Sequence, residues 1–137
     1  MSIKKVNHIA IVVPDLDEAR RFWVDGLGLD VRAREHVAAQ GVDVAFLPVG
    51  DSQIELLAPT DEESGVARYL AKRGPGMHHI CLEVTDITAM LRHLQALEIP
   101  LIDETPRLDA HGVQYAFIHP KGTNGVLVEL YQLPAED

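Results

Sequence analysis

The segment NHIAIVVPDL at residues 7–16 recurs 71 residues later as HHICLEVTDI at residues 78–87. In each copy a short apolar run follows a histidine, His8 or His79, and ends just before an aspartate. Short apolar runs bounded by turn signals predict buried strands, and an aspartate in that place can cap a following helix. An internal repeat of this kind decides the architecture, so we expect two copies of one structural unit.

The repeat extends over the rest of each half of the chain. Gly41 and Gly112 are 71 residues apart, as are Phe46 and Phe117, and the spacing grows to 74 beyond the hairpin at residues 121–124. Each half therefore predicts the order strand-helix-strand-strand-strand. Strands are predicted at residues 8–13, 30–37, 42–49, 53–57, 79–84, 101–105, 113–119 and 125–131, and helices at residues 16–27, 62–74 and 86–97.

These elements predict an α+β fold built from two tandem βαβββ modules. We expect one domain of residues 1–137, with module one at about residues 4–60, a linker helix at about 62–74 and module two at about 76–134. A sheet covered by a helix on one face buries little surface alone, so the modules are expected to share a core and leave a cleft. Three further residues are predicted to be buried in that core, namely Phe22, Trp23 and Cys81.

The composition narrows the classes of partner. The formal net charge is −9 and the isoelectric point is near 5.1, which argues against nucleic acid and anionic lipid as main partners. No apolar stretch approaches the roughly 20 residues of a membrane-spanning helix, and the N-terminus has no apolar signal segment. We therefore expect a cytoplasmic enzyme or binding protein that acts on a small molecule.

Four polar residues occupy repeat-equivalent places in apolar strands. His8 and His79 open the first strand of each half, and Glu55 and Glu129 lie in the last. An ionised carboxylate in such a strand costs several kcal/mol unless it is paired or bound to a metal. Two imidazoles and two carboxylates suit Zn, Co, Ni, Mn or Fe better than Ca. The alternative is that duplication left matched structural residues with no metal.

Five motifs then cover nearly the whole chain in order. They are NHIAI at 7–11 with PDL at 14–16, GV to FLP at 41–48, IELLAP at 54–59, GMHHI at 76–80, and HPK at 119–121 with GVLVEL at 125–130. Together they resemble the vicinal oxygen chelate (glyoxalase/bleomycin resistance/dioxygenase) superfamily and, within it, the methylmalonyl-CoA epimerase family. The last two motifs are the most specific.

The resemblance implies a fold and a metal site. It implies paired βαβββ modules in one cupped, mixed β-sheet with helices on the outside. It also implies metal ligands at His8, Glu55, His79 and Glu129, where the repeat register selects His79 rather than its neighbour His78. The expected ion is Co²⁺, with Zn²⁺, Mn²⁺ or Ni²⁺ as alternatives, and a homodimer is expected.

The implied activity is the interconversion of (R)- and (S)-methylmalonyl-CoA. The α-proton would be removed to give an enolate that the divalent ion stabilises, and a proton would be returned to the opposite face. Glu129 is the expected catalytic residue. The alternatives are a lactoylglutathione lyase of the glyoxalase I type, which Glu55 keeps open, and a non-catalytic ligand-binding protein of the same superfamily.

The second proton carrier is left open by the sequence. Some family members carry a further glutamate at the position of Val44, and this chain does not. Asp43 is adjacent, but neighbouring strand residues point to opposite faces, which leaves Glu55 as another candidate. No residue is assigned to the CoA moiety, although Lys72, Arg73 and Lys121 are available. The remaining histidines at 36, 93 and 111 are expected at the surface, with His119 in a structural place.

Overall fold

Within residues 1–135, which the computed structural model describes, the chain forms eight strands and three α-helices. The strands are β1 Ile3–Val12, β2 Ala33–Val37, β3 Val42–Val49, β4 Ser52–Pro59, β5 Gly76–Val84, β6 Arg107–Leu108, β7 Gln114–Ile118 and β8 Val128–Gln132. The helices are α1 Leu16–Arg20, which continues as a π-helical turn over Arg21–Gly26, α2 Gly65–Arg73 and α3 Ile87–Ala96. None of the helices in this part of the chain is long and apolar enough to cross a membrane.

The chain divides into two compact units that share strand β1. The first unit is His8–His78, and the second joins Met1–Asn7 to the chain from His79 onward. In the first unit the strand order is β2-β3-β4-β1, and in the second it is β5-β8-β7-β6. The pairs β1–β4 and β5–β8 are parallel, whereas β2–β3, β3–β4, β6–β7 and β7–β8 are antiparallel. The predicted α+β class and the repeated βαβββ order are confirmed.

The sheet of the first unit is covered on both faces. Helix α1 packs through Leu16 on one face, against a cluster that includes Leu47 and Leu56. Helix α2 packs through Val66 on the other face, against a cluster that includes Val44. Strand alternation places His8 and Glu55 on the face that α2 covers, because Ala10, Val12 and Leu57 of that cluster lie two or four residues away along the same strands.

In the second unit, α3 covers one face of the sheet. Ile87 and Leu91 of α3 are buried in a cluster with Val84, Ala116, Ile118 and Leu130. His79 and Glu129 alternate with the apolar residues of β5 and β8 and therefore lie on the opposite face. Burying each leucine of this cluster stabilises the fold by roughly 1.5–3 kcal/mol.

Helix starts and turns follow from local chemistry. Asp15, Ser64 and Asp86 cap α1, α2 and α3, each by accepting a backbone N–H three residues ahead. Gly41 has a φ of 63°, and a Cβ there would collide with the Asp61 side chain. Its repeat counterpart, Gly112, has a φ of 80°. Both glycines therefore occupy turns whose backbone disfavours other residues.

Several sequence predictions differ from the structure. The strand predicted at residues 101–105 is wrong, because that segment has only an isolated bridge between Leu101 and Ile118, and β6 lies further on. Asp103 accepts a hydrogen bond from the backbone N–H of Phe117 through its side chain, which replaces a regular ladder contact. Phe22 is 57% exposed rather than buried, because the π-helical turn directs Trp23 and Val24 to the core instead. Strands β1 and β5 also begin earlier than predicted, whereas β2 and β8 begin later.

We predict that the α3 layer is needed for the stability of the second unit. Leu91→Ala should lower the free energy of unfolding by about 2–5 kcal/mol, because Leu91 is buried and leaves a cavity when truncated. Leu97→Ala, at the exposed end of the same helix, is the matched control and should change it by less than about 1 kcal/mol. Guanidinium chloride denaturation measures both, and equal losses would contradict this packing.

Candidate metal centre

The first unit buries a histidine against a glutamate across the parallel pair β1–β4. His8 is 1% exposed, and its Nδ1 lies 3.0 Å from Oε2 of Glu55. Glu55 stands opposite Ala10 in the register, and His8 stands opposite Gln53. The amide of Gln53 donates to the same Glu55 oxygen at 3.2 Å, so the carboxylate is held from two sides.

The second unit repeats this pair on β5 and β8. Nε2 of His79 lies 3.1 Å from Oε1 of Glu129, and both residues are buried. Glu129 stands opposite Cys81, which is the repeat counterpart of Ala10. The face of each unit that carries its histidine–glutamate pair is called the site face below. The structure thus brings together His8 with Glu55, and His79 with Glu129, as the repeat predicts.

Aromatic rings flank both carboxylates. Phe46 stands opposite Glu55, and Phe117 stands opposite Glu129. The Phe117 ring meets the His79 imidazole edge to face, with centroids 5.5 Å apart and an interplanar angle of 87°. Such packing fixes the imidazole plane and limits access of water to the pair. The 71-residue spacing of these phenylalanines was the sequence signal for their shared place beside the carboxylates.

The chemistry of the two pairs fits a divalent cation. A buried carboxylate is costly to desolvate unless a positive charge or a donor compensates it. Imidazole nitrogen and carboxylate oxygen are both common ligands of first-row transition ions. Each unit therefore offers one nitrogen and one carboxylate donor on its site face.

The structure accounts for the residues near the missing family glutamate. Val44 is 5% exposed and lies in the apolar cluster under α2, so that position holds no proton carrier. Asp43 is on the other face, where its carboxylate contacts Nδ1 of His36 at 2.8 Å. Glu35 stands opposite Val44 in the register and therefore shares the site face with Glu55. Glu35 could not be assigned to this face from the sequence, because only the register of β2 with β3 reveals the direction of its side chain.

The other histidines and the cysteine lie where the sequence predicts. His36, His93 and His111 are exposed. His119 caps a short 3₁₀ turn, with its Nδ1 accepting from the backbone N–H of Lys121 at 3.1 Å, which is a structural role. Cys81 is fully buried as a free thiol, as expected.

Comparison with known proteins gives a consistent result. Residues 7–117 match the sequence model of the Glyoxalase/Bleomycin resistance protein/Dioxygenase superfamily. The chain is similar to the ethylmalonyl-CoA/methylmalonyl-CoA epimerase of Cereibacter sphaeroides, with 41% identity over 133 residues, 96% of this chain and 99% of the relative. The match covers both halves of the repeat.

Solved structures agree with the sequence comparison. Methylmalonyl-CoA epimerase from Mycobacterium tuberculosis has a TM-score of 0.88 and 38% identity, covering 97% of this chain and 90% of the other. A methylmalonyl-CoA epimerase in complex with methylmalonyl-CoA and NH₄⁺ has a TM-score of 0.87 and 34% identity, covering 98% and 97%. The chain therefore belongs to the glyoxalase/bleomycin resistance protein/dioxygenase superfamily and, within it, to the family of the methylmalonyl-CoA epimerases.

Proposed function

We propose that the protein is an enzyme that interconverts (R)- and (S)-methylmalonyl-CoA. The observation that carries the proposal is the duplicated buried pair, His8 with Glu55 and His79 with Glu129, in a chain of the epimerase family. The solved complex holds methylmalonyl-CoA in a protein that is similar over nearly the full length of this chain. A lactoylglutathione lyase and a ligand-binding protein are not favoured, because the relative and the solved structures compared above are epimerases.

The two pairs are proposed to hold one divalent metal ion together. His8, His79 and Glu129 are each buried, and each offers a ligand atom that such an ion accepts. Glu55 would add the second carboxylate. When bound, a divalent ion supplies Lewis-acid stabilisation of the negative charge that develops on the substrate. Co²⁺ is the ion proposed for this mixed nitrogen and oxygen set, and Zn²⁺, Mn²⁺ and Ni²⁺ suit the same donors.

The side chains of this protein would move the proton. The α-carbon of the substrate lies between a thioester and a carboxylate, so its proton is only moderately acidic in water. Inversion requires one carrier on each face of that carbon, one to remove the proton and one to return it. Glu129 is the proposed carrier on one side, and its Oε1 contact with His79 at 3.1 Å sets its orientation.

Glu55 is the proposed carrier on the other side. It occupies the place in the first unit that Glu129 occupies in the second, and Gln53 and His8 orient its Oε2. Val44 cannot carry a proton, and Asp43 faces away toward His36. A glutamate at position 55 therefore supplies, on the site face of the first unit, the carboxylate that Val44 does not.

The oligomeric state and the cellular compartment of the protein remain predictions. The homodimer and the cytoplasmic location follow from the sequence resemblance and composition alone. Size-exclusion chromatography with light scattering measures the first.

We predict that His79, and not its sequence neighbour His78, binds the metal. His79→Ala should lower the bound Co²⁺ after dialysis and reduce epimerase activity by at least about 100-fold. His78→Ala is the matched control and should keep both within about threefold of the unmutated protein. Metal analysis and a coupled assay measure these quantities. A larger metal loss in His78→Ala would contradict the assignment.

We predict metal-dependent exchange of the substrate α-proton. In deuterated water, the Co²⁺-loaded protein should remove the α-proton signal of methylmalonyl-CoA in the proton NMR spectrum and form both epimers. The metal-stripped protein should not exceed the background rate. Absence of exchange in the loaded protein, together with turnover of methylglyoxal and glutathione, would instead support the lyase.

We predict that Glu129 and Glu55 serve opposite epimers. Glu129→Gln and Glu55→Gln should each slow epimerisation by about 10²–10⁴-fold, the usual contribution of a positioned acid or base. With Co²⁺ in excess, so that loss of one carboxylate ligand does not empty the metal site, each variant should still exchange the α-proton of one epimer, because the remaining carboxylate is intact. The surviving epimer should differ between the variants. Deuterium incorporation from each pure epimer measures this. Loss of exchange for the same epimer in both variants would contradict the two roles.

A further inference from the structure

On the site face of the second unit, a row of contacts leads from His79 to Arg107. The Phe117 ring contacts the His79 imidazole, and the Tyr115 ring lies 6.3 Å from that of Phe117. The guanidinium of Arg107 lies over the Tyr115 ring, 5.4 Å from its centroid. Arg107 stands opposite Tyr115, and Phe117 stands opposite Glu129, so all these side chains share the site face.

The equivalent positions in the first unit are covered by α2, and the charged residue among them is an acid rather than a base. Val44 is the repeat counterpart of Tyr115. It is buried in the cluster under α2, against which Tyr69 and Leu70 of that helix pack. Glu35 stands opposite Val44, where the second unit has Arg107 opposite Tyr115. The repeat therefore places an acid at one outer strand and a base at the other.

This difference favours the second unit over the first as the place for a polyanion. The chain has a formal net charge of −9, so a phosphate-bearing ligand is repelled by most of its surface. A ligand that carries phosphates at the end of a long arm binds best where exposed residues accommodate the arm and a cation lies beyond them. Tyr115 and Phe117 are partly exposed, and the Arg107 side chain is 60% exposed.

We propose that the CoA moiety of the substrate lies along Phe117 and Tyr115 of the second unit, and that Arg107 binds its phosphate groups. This inference rests on the proposed function, because it takes the thioester to lie at the histidine–glutamate pairs. Partly exposed rings offer an apolar floor for the pantetheine arm, and a guanidinium forms bidentate, charge-assisted hydrogen bonds to phosphate.

The surroundings of Arg107 prepare it for this role. Its guanidinium lies over the Tyr115 ring, which limits the side-chain freedom that binding would otherwise remove. Oδ1 of Asp103 is 4.0 Å from Nη1 of Arg107, and Oδ2 of Asp103 accepts the backbone N–H of Phe117 at 2.9 Å. Asp103 therefore ties the short strand β6 to the strand that carries the aromatic row. Its contact with Arg107 is at the distance limit of an ion pair, which leaves guanidinium donors for phosphate.

The test compares ligands that differ only in the nucleotide. Propionyl-CoA and S-propionyl-pantetheine share the thioester and the pantetheine arm, and only the first carries phosphates. Calorimetric titration gives the Kd of each for the unmutated, metal-loaded protein and for Arg107→Ala, Arg107→Lys and Arg32→Ala. Arg32 is the matched control, because its guanidinium also lies over a ring, that of Phe46, but in the first unit.

Arg107→Ala should weaken propionyl-CoA binding by about 10–100-fold, the range of a hydrogen bond to a charged group, and leave the pantetheine ligand unchanged. Arg107→Lys should recover part of the loss, and raising the salt concentration should weaken binding to the unmutated protein more than to Arg107→Ala. Arg32→Ala should bind propionyl-CoA as the unmutated protein does. For methylmalonyl-CoA, Arg107→Ala should raise KM with kcat unchanged.

Several results would overturn the inference. These are failure of the unmutated protein to bind propionyl-CoA, equal binding by Arg107→Ala, equal losses for both ligands, or a loss in Arg32→Ala in place of Arg107→Ala. Failure of the proposed function is separate, because it would appear as nucleotide-dependent binding with no turnover of methylmalonyl-CoA. The titration does not depend on turnover, so the two failures are distinguishable.

Discussion

The parallel pairing of the first and last strands of each unit is the constraint on which the site depends. It sets a glutamate beside a histidine, with Glu55 near His8 across β1–β4 and Glu129 near His79 across β5–β8. Both carboxylates are buried in otherwise apolar strands, where an uncompensated charge costs several kcal/mol. A change of register by one residue would turn each glutamate to the opposite face of the sheet and separate it from its imidazole.

Duplication explains both the symmetry of the pairs and the asymmetry around them. The pairs themselves, and the rings of Phe46 and Phe117 beside them, are repeated in both units. Two positions before these phenylalanines the units diverge: Val44 is buried under α2, whereas Tyr115 is partly exposed beside Arg107. Two equivalent carboxylates suit a reaction that inverts the configuration of a carbon, because such a reaction uses a proton carrier on each face of that carbon. An asymmetrical surrounding suits a substrate with a small acyl group at one end and a polyanion at the other.

The histidine–glutamate pairs could be predicted because the sequence combines the repeat spacing with the two-residue alternation of strands. The repeat spacing relates Glu55 to Glu129, and the alternation of strand residues keeps each on the face of its histidine. The sequence could not predict β6, because Asp103 satisfies the Phe117 N–H with a side chain, and no periodic pattern records such a contact. The exposure of Phe22 could not be predicted from the sequence either, because one π-helical turn rotates the face that the helix presents to the core. Glu35 and Arg107 became visible only through the register of the outer strands.

We propose that the two histidine–glutamate pairs act as one centre. Titration of the metal-stripped protein with Co²⁺, followed by calorimetry and by the visible absorption of the bound ion, tests it directly. We expect saturation at one ion per chain, with the same loss of affinity when either His8→Ala or His79→Ala is titrated. Saturation at two ions per chain, or one pair binding unchanged when the other is mutated, would contradict it.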